Sequence, residues 1–156
     1  KLEGVIRRAI DTFRYRAERE GTEVEFTVAE GVPVVDMDEQ AVILAVINLL
    51  DNAAKYGAGS KIEVEVDTGN DEAVVRVRDH GPGIPESDLR RVFERFYRGA
   101  GHQGARGSGI GLSMVHHIAT AHGGVAWATN HPDGGALVSF AIPAASTDGL
   151  DSHEAD

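Results

Sequence analysis

From Leu2 to Glu20 apolar residues recur at helical spacing, with Val5, Ile6, Ile10 and Phe13 set among many charges, which predicts an amphipathic helix. The period drops to two from Glu23 to Val28, where Val24, Phe26 and Val28 share a face, until Gly31 and Pro33 break the strand. A long helix is predicted from Asp38 to Tyr56, with Asp36 or Asp38 available to cap it and Gly57 just past its end. Lys61 to Val66 and Ala73 to Asp79 both alternate, and the Thr68-Gly69-Asn70-Asp71 turn between them makes an antiparallel hairpin. After Gly81-Pro82-Gly83 a short helical piece is expected around Leu89 to Phe96, followed by a glycine-rich run from Gly99 to Gly111. Ile110, Met114, Ile118 and Ala121 mark another helix ending at Gly123-Gly124. Strands Val125 to Thr129 and Ala136 to Ile142 then flank an Asn130 to Gly135 turn. This order predicts an α+β, two-layer sandwich with about three helices on one face of a mixed, mostly antiparallel sheet.

Composition narrows the picture. A chain of 156 residues with 42% hydrophobic content suits one domain with a core of ordinary size. With no cysteine, disulfide scaffolds, thiolate metal sites and cysteine nucleophiles are excluded. The formal charge of -10 argues against nucleic acid as a partner, so an anionic ligand would need local donors. No apolar run reaches the roughly 18 residues that span a bilayer. The stretch from Ala144 to Asp156 is small, polar and acidic, as expected of a disordered, solvated tail.

Three places carry candidate chemistry. On a helical wheel Asn48, Asn52 and Lys55 fall within roughly 60° of one another, while Ile43, Val46, Leu50 and Ala53 lie near the opposite side. Such a stripe is either a solvated face or a set of oxygen ligands for a hard cation beside a lysine that meets phosphate. Asp79 falls on the same side of its strand as Val75 and Val77, so its carboxylate needs a donor. That donor is either the Gly81-Pro82-Gly83 bend or an exocyclic amine such as adenine's. Gly107-Ser108-Gly109-Ile110-Gly111 enters a helix, where backbone amides and the macrodipole favour an anion. Gly99 to Gly104 reads GxGxxG without following a strand, and no P-loop pattern occurs.

Together these segments resemble the nucleotide-binding boxes of bacterial sensor histidine kinases. Asn48-Leu-Leu-Asp-Asn52-Ala-Ala-Lys55-Tyr56 is similar to the N box and Asp79-His-Gly81-Pro-Gly83-Ile84-Pro to the G1 box. Phe93-Glu-Arg95-Phe96-Tyr97-Arg98 is similar to the F box, and Gly107-Ser108-Gly109-Ile110-Gly111-Leu112 opens a segment similar to the G2 box. The resemblance implies a Bergerat-type fold over residues 21–143 that binds ATP with Mg2+. Asn52 would hold the metal with Asn48 assisting, Lys55 would contact phosphate, and Tyr56 would flank the adenine. Asp79 would accept the adenine amino hydrogen in a pocket shaped by Gly81, Gly83 and Ile84. Arg95, Tyr97 and Arg98 would reach the nucleotide, as would Gly107, Ser108, Gly109, Ile110, Gly111 and Leu112. A lid would cover it over about residues 97–108, and Asn48, Lys55 and Arg95 would form the catalytic set.

The same resemblance implies that residues 1–20 end a linker helix leaving a dimerisation domain, with little influence on nucleotide affinity. None of the seven histidines has the context of a phosphorylated acceptor, so the acceptor would lie upstream, on that dimerisation domain. His116, His117 and His122 read as surface or packing residues. The implied partners are that histidine-phosphotransfer domain and a response regulator. The fragment is expected to be a cytoplasmic monomer from a homodimeric inner-membrane sensor. Hydrolytic relatives of the fold carry a water-activating glutamate where this chain has Asn48, which favours a kinase over an ATPase. A protein-serine kinase of the same fold and a degenerate docking domain are the rival readings.

Overall fold

The computed structural model describes residues 1–20, 22–57, 61–94 and 111–146, without the side chains of residues 16–20. Helix α1 (Leu2–Glu20) buries Leu2, Val5, Ile6, Ala9, Ile10 and Phe13, the stripe its three- and four-residue spacing demands. Although expected as the end of a linker, α1 contributes all six residues to the same core cluster as the rest of the domain. Strand β1 (Val24–Val28) follows, then α2 (Glu39–Tyr56), β2 (Ile62–Gly69) and β3 (Glu72–Arg78). Helix α3 (Gly111–Ala121) and the hairpin of β4 (Val125–Asn130) and β5 (Ala136–Pro143) complete the order. The α+β sandwich expected from the sequence is therefore present.

The sheet runs β1-β2-β3-β5-β4, with β1 and β2 parallel and every other pair antiparallel. The parallel pair follows from the intervening helix, since α2 returns the chain across the sheet before β2 begins. Register puts Ile62, Val64 and Val66 beside Val75 and Val77, and those beside Val138 and Phe140, on one continuous inner face. The opposite face carries Glu25, Glu63, Glu65, Asp67, Arg76 and Arg78, cross-paired as Lys61–Glu25, Arg76–Glu65 and Arg76–Asp67. No helix among the described residues is long and apolar enough to cross a membrane.

Three details differ from the sequence pattern. The first hairpin turns tightly at Asn70-Asp71, with Gly69 and Glu72 still paired and Asp71 in the left-handed region at φ 54°. Over Leu89 to Phe96 the described residues form no α-helix. A 3-10 turn at Glu86–Asp88 begins after Pro85 and continues through i to i+3 bonds, from Arg91 N–H to Asp88 and from Glu94 N–H to Arg91. The chain is also still tied down at the start of the expected tail. Ala144 N–H donates to the Asp71 carbonyl and Ala145 N–H to that of Val34.

Candidate functional site

Asp38, rather than Asp36, caps α2: its Oδ1 accepts the Ala41 N–H at 3.2 Å. The helix buries Val42, Ala45, Val46, Leu49, Leu50 and Ala53, whereas Ile43 is only half-buried. Because α2 packs against α1 and α3 as well as the sheet, its buried arc is wide. At about 100° per residue the Asn48, Asn52 and Lys55 stripe therefore borders the core arc instead of opposing it. Asn48 and Asn52 are half-buried and Lys55 is exposed, with its ammonium 5.9 Å from the Tyr56 ring centroid. The C-terminal half of α2, down to its last turn, thus presents amides and an amine at the margin of the core.

The end of β3 meets that turn. Asp79 is 4% exposed, and its Oδ1 accepts from the Gly81 N–H at 2.9 Å and the Ala136 N–H at 3.1 Å. The bend and the neighbouring strand therefore both lean on one carboxylate oxygen, and neither bond uses Oδ2. A side chain at Gly81 would collide with the Tyr56 carbonyl, so this position must lack a Cβ for the bend to lie on the end of α2. Gly83 has φ +83°, a conformation that side chains disfavour. Ile84 is half-buried beside it.

Helix α3 closes the third side. A Cβ built on Gly111 would lie 3.8 Å from Asn48 Oδ1, which places the start of α3 against the polar stripe. Leu112 packs at the edge of the core, and so does Phe93, whose ring centroid is 6.1 Å from that of His116 on α3. Asn48, Asn52, Lys55, Tyr56, Asp79, Gly81, Gly83, Ile84, Gly111 and Leu112 thus lie on three elements that meet. Arg95, Tyr97, Arg98, Gly107, Ser108, Gly109 and Ile110 lie outside the described residues, as does the proposed lid. No group of three or more His, Asp or Glu side chains able to hold a metal occurs among the described residues.

Two residues make long-range contacts that the sequence reading did not assign: Asn130, read only as the start of a turn, and His122, read as a surface or packing residue. Asn130 Oδ1 accepts from the Ile84 N–H at 2.7 Å while its Nδ2 donates to the Ile84 carbonyl at 2.6 Å. His122 Nε2 accepts from the Asp38 N–H at 3.0 Å while its Nδ1 lies 2.8 Å from the Ile118 carbonyl. Those partners are 46 and 84 residues away in sequence, so no local pattern announces either contact.

An open sheet under three helices thus sets a polar helix face beside a buried aspartate. The chain belongs to the histidine kinase-, DNA gyrase B- and HSP90-like ATPases, whose family profile matches residues 37–146. Signal transduction histidine-protein kinase AfsQ2 of Streptomyces coelicolor is 44% identical over 108 residues, 69% of this chain and 20% of AfsQ2. The solved structure of the mycobacterial sensor histidine kinase MprB matches with TM-score 0.80 at 32% identity, covering 91% of this chain and 95% of that one. Full-length ShkA in complex with AMPPNP matches with TM-score 0.81 at 25% identity, covering 94% of this chain and 30% of that one. These likenesses are to sensor histidine kinases, and the chain spans only part of their length, 20% of AfsQ2 and 30% of ShkA.

Proposed function

We propose that the site binds Mg-ATP and donates the γ-phosphoryl group to a histidine on the parent's dimerisation domain, for relay to a response-regulator aspartate. The observation that supports it is the meeting of the α2 stripe, buried Asp79 and the start of α3 around one margin of the core. In this reading Asp79 Oδ2 accepts the adenine amino hydrogen while Oδ1 holds the bend. Ile84 and Tyr56 flank the base, and Lys55 and the first amides of α3 face the phosphates. Arg95, Tyr97, Arg98 and the glycines from Gly107 to Gly111 complete the phosphate side.

Asn52 offers one amide oxygen with no carboxylate cluster around it among the described residues, a donor set suited to a cation that keeps phosphate and water ligands. Mg2+ there would neutralise charge on the phosphate oxygens. The transfer itself breaks the bond from the γ-phosphorus to the β,γ-bridging oxygen and forms one to an imidazole nitrogen, with ADP leaving. It depends chiefly on positioning. Asn48 cannot take a proton from water, so hydrolysis should be slow. The chain should act within a membrane-anchored homodimer. We also propose that α1 counts as the first helix of the catalytic domain. Its burial supports this, as does a match to MprB broader than the chain would offer without it.

Calorimetric titration of the folded chain with ATP, with and without Mg2+, tests the reading. Binding is expected, with a metal-dependent part that Asn52→Leu removes, and absence of heat at high micromolar nucleotide would overturn it. With γ-labelled ATP the isolated chain should neither label itself nor release phosphate quickly. Adding the dimerisation helices should produce an acid-labile label on their histidine.

A further inference from the structure

We infer that Asn130 is a positioning residue for the adenine side of the site, acting through the Ile84 peptide. The inference rests on the reading of the Asp79 region as the adenine pocket. The carboxamide of Asn130 engages both polar atoms of one residue: Oδ1 takes the Ile84 N–H at 2.7 Å and Nδ2 reaches the Ile84 carbonyl at 2.6 Å. An adjacent strand would satisfy a residue in this way, yet Ile84 belongs to no strand. A single side chain at the end of β4 does that work for the loop.

The contact gains meaning from the register of the last hairpin. Asn130 is paired with Ala136 across β4 and β5, and Ala136 is the residue whose N–H bonds Asp79 Oδ1. One end of one hairpin therefore holds both ends of the G1 bend, Asp79 through Ala136 and Ile84 through Asn130. Between these fixed points Gly83 passes so close that a Cβ on it would come within 2.8 Å of Asn130 Oδ1. The distance from the Asp79 carboxylate to the Ile84 side chain, and so the width offered to a planar base, is set by this pair.

Asn130 is itself exposed, so it supplies no core packing whose loss would explain an effect on binding. Its chemistry is specific. A carboxamide presents an acceptor and a donor side by side on one carbon, whereas aspartate keeps the acceptor and turns an oxygen toward the Ile84 carbonyl.

The test is titration of the full chain and its Asn130→Asp variant with ATP, ADP and adenosine, each with and without Mg2+, alongside thermal unfolding. The expected result is a loss of affinity of roughly 5- to 30-fold, equal for the three ligands and indifferent to metal, the size of one or two lost hydrogen bonds. Asn130→Ser, which keeps one hydrogen-bonding group, should fall between parent and aspartate variant and serves if the latter folds poorly. Unchanged affinities with a lowered melting temperature would make Asn130 a purely structural residue and overturn the inference. So would a loss confined to ATP with Mg2+. If the parent binds none of the three ligands, the assignment of the site fails first, and the inference fails with it.

Discussion

Asp79 has two carboxylate oxygens, and among the described residues its hydrogen bonds to the fold use Oδ1. This allows the two roles of the residue to be separated by mutation. Asp79→Asn retains an oxygen for the Gly81 and Ala136 N–H groups but places an amine where the adenine amine would donate. It should therefore unfold near the parent's midpoint while weakening ATP by about 1.5–3 kcal/mol, roughly 10- to 150-fold. Asp79→Ala also strands two backbone donors, one of them in a buried bond. It should cost about 1–3 kcal/mol of stability for each donor left dry. Parallel nucleotide titration and urea denaturation of both variants check this, with equal ATP and GTP affinity in the parent counting against the adenine role. At this scale the sequence is informative where function and local pattern coincide. Period-two alternation placed Asp79 on the core side, and helical spacing grouped Asn48, Asn52 and Lys55. Asn130 escaped because its significance lies in a partner on another loop, and an asparagine beside a glycine-rich turn has an ordinary local explanation.

Helices α2 and α3 approach each other at both ends of α3, by different means. Near one end Gly111 sits over Asn48, and near the other the Asp38 N–H donates to His122 Nε2. From Asp38 to Asn48 and from Gly111 to His122 the two helices span about 15 Å each at 1.5 Å per residue, so they run antiparallel over matched lengths. His122 thus helps set the register that brings the start of α3 to the polar stripe. With Nε2 accepting the Asp38 N–H, Nδ1 is the ring nitrogen placed to donate to the Ile118 carbonyl. Glutamine can place an oxygen near the Nε2 position, whereas asparagine reaches only as far as Nδ1. His122→Asn should accordingly lose about 0.5–1.5 kcal/mol in denaturant unfolding, and His122→Gln should recover part of it. Equal stability of the two variants would show that the cross-helix bond contributes nothing. The three α-helices and five strands among the described residues were each legible because their apolar periods are sustained. The misplaced helix at Leu89 to Phe96 and the misjudged core arc of α2 share one cause: burial depends on which neighbours surround a segment. A wheel drawn for α2 alone could not know that helices flank it on both sides.

At the scale of the whole molecule, the solvent face of the sheet and the helical layer make different contributions. On the sheet face the Arg76 guanidinium, together with the Thr68 N–H, holds the Asp67 carboxyl below its ordinary range. A depressed carboxyl contributes stability that is complete above its unfolded-state value and is lost as pH falls through the lower folded one, hence below about pH 4. The pair is partly exposed, so the effect should stay within about 1 kcal/mol. Arg76→Met should therefore lower the neutral plateau of a stability-against-pH curve by up to about 1 kcal/mol and leave the acid end nearly unchanged, flattening the limb between them. The helical layer is where the larger energies lie. Helix α1 buries Ala9 and five large apolar side chains against α2 and β1, the large ones each worth about 1.5–3 kcal/mol when fully buried, against a typical net stability of 5–15 kcal/mol. A chain lacking residues 1–20 would leave the facing sides of α2 and β1 open to water and should lose cooperative unfolding altogether. Phe13→Ala, at 2% exposure, isolates the same point within a foldable range, and should cost about 3–5 kcal/mol. The two α1 changes differ in what they say about function. None of the residues assigned to the nucleotide lies on α1, so the folded fraction of Phe13→Ala should bind ATP with the parent's affinity, and added ATP should raise its melting temperature by mass action. The check is calorimetric titration at a temperature where circular dichroism shows the variant fully folded. A weakened ATP affinity under that condition would mean that α1 reaches the site through α2, and residues 1–20 would then belong to the binding machinery as well as to the core.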